Sequence, residues 1–209
     1  MKWIYHKKKA LTKEQCKKYI DSFEDKNKIK WKGPFDASKN GEQEYFYDGI
    51  CLDVSQCSFR DVLIENLREY SKIHSFLLHY GEWGYFQYAN MQRYQPGECY
   101  AGEHCEFSID PRGNKRLLAW MFYLNDIKDG GGTRFPQQDF TTIVECGDLY
   151  IWPAYFTHTH YGLPAKNDLK YIITGWCNLQ NNPELEKKFA DKKNGSISAT
   201  DGKTYSIMY

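Results

Sequence analysis

The first part of the chain has the hydrophobic spacing of an amphipathic helix. Thr12 and Gln15 form a capping-box pair, in which each side chain can bond to the other residue's backbone N–H. Apolar residues then recur at i, i+3, i+4 and i+7, at Cys16, Tyr19, Ile20 and Phe23. Such a stripe is typical of a helix that covers a core with one face. The pattern predicts a helix that begins after Thr12.

Two further helices are predicted from spacing and capping residues. Residues from about 58 to 79 place four apolar side chains near one helical face, namely Leu63, Leu67, Tyr70 and Phe76. In the tail, Asn182 can cap a helix that has Pro183 at its first position and Gly195 past its end. The residues after Gly195 fit a late strand or an arm.

The chain changes character after Gly84, where β-branched and aromatic residues dominate. Segments of this composition are predicted as strands, at 85–94, 115–126, 139–145, 147–153 and 170–179. Turn clusters such as DPRGNK and DGGGT separate them. Several strands are apolar on both faces, as in a sheet that is covered on both sides. The order predicts an α+β fold in which N-terminal helices support a β-sandwich or jelly roll.

Length, charge and cysteine usage narrow the class of protein. A chain of 209 residues is expected to form one globular unit, with a helical region (1–85), a β core (86–179) and a helix and tail (180–209). The 28 basic and 27 acidic residues argue against nucleic acid as a partner. No apolar run has the length of a membrane span, and the N-terminus lacks the apolar segment of a signal peptide. We expect a cytoplasmic protein with reduced thiols that does not bind membranes; its oligomeric state stays open.

Two separated motifs supply candidate metal ligands. His104 and Glu106 would share one face of a strand, because side chains alternate. A histidine from the distant stretch FTHTH, either His158 or His160, would complete two imidazoles and a carboxylate. That set is the facial triad that binds Fe(II) and leaves positions open. Taken singly, each residue also fits an ordinary role: a surface H-x-E pair, a packed histidine, or, for Lys170, a surface charge at a strand end.

The combination of motifs resembles a known family. RYQPGECY, the HCE motif, RLLAWMFYLND, GGGTRFP, ECGDLYIWP and H-x-x-x-P-x-x-x-x-x-K follow one another in residues 86–179. This order is similar to that of the prolyl 4-hydroxylase-type 2-oxoglutarate/Fe(II) dioxygenases, nearest to the short single-domain members of bacteria and phages. The resemblance implies a double-stranded β-helix, that is, a jelly-roll or cupin-like fold.

The resemblance also implies the ligands of the metal. In relatives, the distal metal histidine is followed by Pro four residues later and by a basic residue nine or ten later. Pro164 and Lys170 stand at these distances from His160, so His160 rather than His158 is implied as the third ligand, with His104 and Glu106. The family usually has H-x-D, and the glutamate here adds one methylene to the ligand.

Other residues of the chain match co-substrate and substrate positions of the family. By the resemblance, Lys170 pairs with the far carboxylate of 2-oxoglutarate. The remaining co-substrate residues that it implies are Tyr94, Tyr123, Thr174 and Thr133. Arg116 and Trp176 are implied at the substrate side of the pocket. Core packing is the alternative for the tyrosines, and a surface position is the alternative for Arg116.

The resemblance implies an oxidative function. It predicts hydroxylation of a C–H bond with Fe(II), 2-oxoglutarate and O2, release of succinate and CO2, and ascorbate as a reductant. A prolyl residue in a peptide or protein is the first choice of substrate. The alternatives are a free amino acid or other small metabolite, and a non-catalytic jelly-roll module that only binds its ligand.

Overall fold

A computed structural model of the chain describes residues 3–33, 35–36, 44–45, 47–79, 81–110, 113–180, 196–198 and 204–206. The α-helices are α1 (Lys13–Glu24) and α2 (Arg60–Ile73), and short 3-10 helices span Val54–Gln56, Ser75–His79, Pro136–Gln138 and Phe156–His158. The strands are β1 (Tyr5–Lys7), β2 (Trp31–Lys32), β3 (Phe35–Asp36), β4 (Glu44–Tyr45), β5 (Asp48–Asp53), β6 (Trp83–Tyr85), β7 (Tyr88–Tyr94), β8 (Lys115–Tyr123), β9 (Thr133–Phe135), β10 (Phe140–Thr141), β11 (Leu149–Pro153), β12 (Tyr161–Gly162), β13 (Lys170–Leu179), β14 (Ser196–Ser198) and β15 (Thr204–Ser206).

Two antiparallel sheets form the body of the molecule. The major sheet has the order β1-β11-β8-β13-β7-β5-β2, with β6 paired to the outer end of β13. The minor sheet has the order β10-β9-β12. The N-terminal region therefore contributes strands to the major sheet as well as helices. The pairs β3-β4 and β14-β15 stand apart from both sheets.

Strand β8 is apolar from Leu117 onward because both of its faces are buried there. Trp120 and Phe122 belong to the core cluster that contains residues of α1 and α2. The alternate residues Met121 and Tyr123 belong to a second cluster with Phe135 of the minor sheet. The period of two thus sends alternate side chains to a helix-covered side and to the space between the sheets.

The helices cover the outer face of the major sheet. The predicted start of α1 is confirmed, because the Thr12 hydroxyl accepts a hydrogen bond from Gln15 N (3.1 Å) and Gln15 Oε1 accepts one from Thr12 N (2.9 Å). Cys16 and Phe23 on the apolar stripe are fully buried. No helix in the described ranges is both long and apolar enough to cross a membrane.

The predicted end of the second helix is wrong. The α-helix stops at Ile73, because His74 leaves helical geometry (φ −115°, ψ 64°), and a 3-10 helix follows. The change of helix type rotates later side chains away from the apolar face. Leu63, Leu67 and Tyr70 are buried, whereas Phe76 is 70% exposed.

Two other expectations concern elements outside the central strands. The predicted strand 139–145 shrinks to β10, because the Tyr150 hydroxyl takes both backbone groups of Ile143, accepting from its N–H and donating to its C=O (3.1 Å each). The helix predicted after Asn182 lies outside the described residues.

Candidate metal centre and co-substrate pocket

A cavity of about 260 Å³ opens between the two sheets. Its walls come mainly from the inward faces of β7 and β13. Lys170, Ile172, Thr174 and Trp176 all line it from β13, as strand alternation predicts. His104, Glu106 and His160 lie in the same wall.

The three candidate metal ligands converge on one point. One ligand atom from each of His104, Glu106 and His160 lies within 4.8 Å of the others. Glu106 Oε1 is 3.5 Å from Nε2 of both histidines. The expected strand at 104–106 is wrong, since His104 forms only an isolated antiparallel bridge. Backbone N–H···O bonds of 3.0 and 2.8 Å join it to His160, so tertiary pairing rather than alternation along a strand brings the ligands together.

Hydrogen bonds orient both imidazoles of the triad. His104 Nδ1 lies 2.8 Å from the carbonyl oxygen of Gly102, and His160 Nδ1 lies 2.9 Å from that of His158. A carbonyl oxygen only accepts, so both Nδ1 atoms carry the hydrogen. In the neutral imidazoles the lone pair is then on Nε2, directed at the common point. The donor set therefore fits a divalent metal of the Fe(II) type.

His158 lies outside this group. It ends a 3-10 helix, its ring is buried, and its Nδ1 lies 3.0 Å from the Thr157 hydroxyl. Burial, with a smaller contribution from the charge of His160, lowers the pKa of His158 to about 4. Trp152 packs against His160 with ring centroids 5.2 Å apart. His158 thus contributes its backbone carbonyl, which holds His160.

Glu106 is an ionised carboxylate in a largely buried position. Burial raises the pKa of its carboxyl, but without a metal the protonated imidazoles of His104 and His160 outweigh burial and hold this pKa well below its ordinary range. Trp176 Nε1 donates to Oε2 at 2.7 Å, and Arg116 Nη1 forms an ion pair with the same oxygen at 3.5 Å. The two residues expected at the substrate side therefore both contact Glu106.

Lys170 lies buried at the other end of the cavity. Its side chain donates to the Gly131 carbonyl (3.2 Å), and its ammonium lies over the Tyr94 ring, 4.4 Å from the centroid. No carboxylate among the described residues forms an ion pair with it. Burial lowers the pKa of Lys170 to about 8. A buried cation without a counter-charge is costly, so the site favours an anionic ligand.

The other predicted co-substrate residues differ in their access to the cavity. Tyr94 lines it and donates its hydroxyl to Gln92 Oε1 (2.8 Å). Thr174 lines it and donates to the Trp120 carbonyl (3.1 Å). Tyr123 is fully buried behind the wall, where its hydroxyl bonds to Thr133 Oγ1 (3.0 Å) and to Thr142 Oγ1 (2.6 Å). Tyr123 thus reaches the cavity only through Thr133, which does line it.

Several lining residues were not singled out from the sequence. Asn90 and Gln92 face the cavity because they share the alternation of Tyr94 along β7, a signal that was available. Tyr47 and Tyr100 reach the cavity from outside the core strands, where no local pattern marks them. The Tyr100 ring lies 4.4 Å from the His104 ring, centroid to centroid.

Comparison with known proteins relates the core of the chain to one family. The model of the 2OG-Fe(II) oxygenase superfamily matches residues 89–178, the part of the chain that carries the triad and Lys170. This core is similar to the 2OG-Fe(II) oxygenases. No curated protein matches the sequence of this chain. The family uses Fe(II), 2-oxoglutarate and O2, and the His-Glu-His group for the metal is present in the structure.

Solved prolyl hydroxylases share the fold of this chain. The viral collagen prolyl hydroxylase of Paramecium bursaria Chlorella virus-1, in complex with 2OG, matches with a TM-score of 0.65 and 19% identity, over 85% of this chain and 96% of the viral one. A Pseudomonas putida prolyl-4-hydroxylase matches at 0.56 and 14%, over 87% and 95%. A Trichoplax adhaerens prolyl hydroxylase, in complex with a hypoxia inducible factor peptide, matches at 0.60 and 16%, over 92% and 89%. The predicted prolyl 4-hydroxylase-like jelly-roll fold is confirmed.

Proposed function

We propose that this protein is a 2OG-Fe(II) oxygenase that hydroxylates a prolyl residue in a peptide or protein, with 2-oxoglutarate converted to succinate and CO2. One observation carries the proposal: a buried lysine with no carboxylate partner in the described part of the chain faces the same cavity as two oriented imidazoles and a carboxylate. Fe(II) and 2-oxoglutarate, when bound, supply the activation of O2 that breaks a C–H bond.

The residues of the chain take distinct roles in this proposal. His104, Glu106 and His160 hold the metal from one side and leave the cavity side open. Lys170 receives the far carboxylate of the co-substrate, because a dianion can replace the counter-charge that the lysine lacks. The Tyr94 and Thr174 hydroxyls and Thr133, with Tyr123 behind it, supply polar groups along the same wall.

The choice of a prolyl substrate rests on the solved structures that share this fold. The three solved relatives are named prolyl hydroxylases, and the one from Trichoplax adhaerens holds a peptide. Ascorbate as reductant and a cytoplasmic location belong to the same proposal, as does the division into a support region (1–85), a dioxygenase core (86–179) and a C-terminal tail (180–209).

The metal ligands can be tested by a pair of histidine variants. Fe(II) and 2-oxoglutarate are titrated without O2, and succinate is measured after O2 is admitted. We expect His160→Ala to abolish Fe(II)-dependent succinate formation, because it removes one of three ligands. His158→Ala should keep most of it, because the residue acts through its carbonyl. The reverse outcome would overturn the assignment.

The substrate class needs a separate experiment. Proline-containing peptides and free amino acids are compared for stimulation of succinate release and for a mass gain of one oxygen. Peptide-only turnover supports the proposal, whereas turnover of free amino acids alone favours a metabolite hydroxylase. A protein that binds metal and 2-oxoglutarate but forms no succinate with any substrate would be a binding module.

A further inference from the structure

The two carboxylate oxygens of Glu106 have different partners. Oε1 lies 3.5 Å from Nε2 of both His104 and His160, so it faces the point where a metal would bind. Oε2 accepts a 2.7 Å hydrogen bond from Trp176 Nε1 and lies 3.5 Å from Arg116 Nη1. One oxygen is thus directed at the metal position while the other is held by protein donors.

Arg116 also fixes the indole that holds Oε2. Its guanidinium lies over the Trp176 ring, with Cζ 3.8 Å from the centroid, and its Nη1 donates to the backbone oxygen of Glu106 at 3.3 Å. Trp176 and Arg116 lie on the paired strands β13 and β8, on either side of a register shift in that pairing. We call Glu106, Trp176 and Arg116 the carboxylate clamp. Two of its three members are held by backbone pairing in the major sheet, and all three side chains are partly buried.

The clamp has a chemical consequence because the ligand is a glutamate. A longer side chain gives the carboxylate more freedom, including an approach to a metal with both oxygens. A second oxygen would take one of the three positions that the facial triad leaves open. 2-Oxoglutarate needs two of these positions and O2 the third. A second Glu106 oxygen in a position that the co-substrate uses would therefore compete with it.

We propose that Trp176 and Arg116 are positioning residues that restrict Glu106 to coordination through Oε1. The inference rests on the proposed function, since it assumes that the triad holds the metal. In this inference both residues orient the Glu106 carboxylate, a role beyond the substrate contact that the family resemblance implies. It also explains how this chain accommodates the extra methylene.

The first test removes one hydrogen bond and keeps the ring. Trp176→Phe retains an aromatic surface under Arg116 but loses the N–H that holds Oε2. Trp83→Phe is the matched control, because Trp83 Nε1 donates only to the Leu77 carbonyl (3.0 Å), away from the cavity. Fe(II) affinity and then 2-oxoglutarate affinity of the Fe(II)-loaded protein are measured by anaerobic titration, with no substrate present.

We expect Trp176→Phe to weaken 2-oxoglutarate binding by about 10- to 100-fold, the size of the effect on metal affinity or activity when a partner that orients a metal ligand is lost. Fe(II) binding should change much less, because a freed Glu106 can add its second oxygen. Trp83→Phe should leave both affinities as in the wild type. If the two variants behave alike, or if Trp176→Phe weakens Fe(II) and 2-oxoglutarate equally, the clamp is refuted.

The second test uses the shorter side chain. In Glu106→Asp, the carboxylate cannot reach both the metal position and Trp176, so the clamp is absent. Adding Trp176→Phe to this background should change 2-oxoglutarate affinity by less than about twofold, because coupled residues are non-additive and Trp176 no longer holds a carboxylate oxygen there. An undiminished loss in the Asp background would mean that Trp176 acts on 2-oxoglutarate directly, and would overturn the inference.

The outcomes separate the clamp from the proposed function. If the wild-type protein binds Fe(II) and 2-oxoglutarate and Trp176→Phe has no selective effect, only the clamp fails. If the wild-type protein binds neither, the proposed function fails and the clamp with it. Arg116→Met should lower 2-oxoglutarate affinity in the same direction as Trp176→Phe, because it removes the charge near Oε2 and leaves an aliphatic stem on the indole.

Discussion

Lys170 shows how strongly burial controls the chemistry of a single residue. Its ammonium has a carbonyl oxygen and an aromatic face as neighbours, and both are weak substitutes for water or a carboxylate. Without a bound ligand, the pKa of Lys170 is therefore lowered to about 8. A fraction of the protein molecules then has a neutral lysine under mildly basic conditions. A bound dicarboxylate favours the charged form and raises this pKa again.

The affinity for 2-oxoglutarate should fall as pH rises through the pKa of Lys170. The ligand binds the protonated lysine, so above a pKa of about 8 binding must first restore the proton. Between pH 7 and pH 9 we expect the dissociation constant to rise about tenfold, measured by titration of the metal-loaded protein.

Lys170→Arg is the control for this pH dependence. A guanidinium stays protonated over this range, so the dissociation constant of the variant should be nearly flat with pH. Equal slopes in both proteins would show that another group titrates.

At the scale of elements, β13 depends on a glycine between two site residues. Gly175 pairs directly with Trp120 of β8, and a Cβ on Gly175 would stand 2.3 Å from Trp120 Cζ2. The Trp120 indole packs against Phe59 and Phe122, with ring centroids 5.7 and 5.8 Å away, so it has no free space to enter. The glycine thus lets the indole lie across the strand that carries Thr174 and Trp176.

Gly175→Ala should destabilise the protein by about 1–3 kcal/mol, because it overpacks a dense core. Gly84→Ala is the matched control, since a Cβ at Gly84 meets nothing within 4 Å and should change stability by less than about 0.5 kcal/mol. Urea unfolding measures both variants. Similar midpoints for the two would contradict the close contact with Trp120.

At the scale of the whole molecule, the two faces of the major sheet have different roles: one supports the fold and the other carries the site. Its outer face packs against α1 and α2 in one core cluster, and its inner face carries the second cluster and the cavity. The triad joins the loop at His104 to the segment at His160, which follows a 3-10 helix. A ligand that bridges these segments must therefore stabilise the folded chain as a whole.

Metal and co-substrate should stabilise the fold in a fixed order. At a concentration of one hundred times its dissociation constant, a ligand adds about 2.7 kcal/mol to the free energy of unfolding. We expect 2-oxoglutarate to raise the melting temperature strongly only after Fe(II), or an inert divalent substitute, has bound. Removal of the metal with a chelator should abolish both increases in melting temperature. If 2-oxoglutarate raised the melting temperature equally in metal-free protein, it would not bind through a metal at the triad.

Much of this protein follows from local sequence. The capping box at Thr12, the stripe of α1 and the alternation that puts Lys170, Thr174 and Trp176 on one face depend on spacings of 3.6 and 2 along the chain. The ordered motifs, with the distance from His160 to Lys170, were sufficient to indicate the family, and the family match and the shared fold confirm it. These patterns could be recognised because each one depends on residues that are close together in the sequence.

Only the tertiary structure decided how the site residues are used. It turned Arg116 and Trp176 toward Glu106, placed Tyr123 behind Thr133, and joined His104 to His160 through a single backbone bridge. These contacts connect residues from 10 to 70 positions apart in the chain. No local pattern encodes them, because the partner of a polar group is chosen by which strands lie side by side and by which donors burial leaves unpaired.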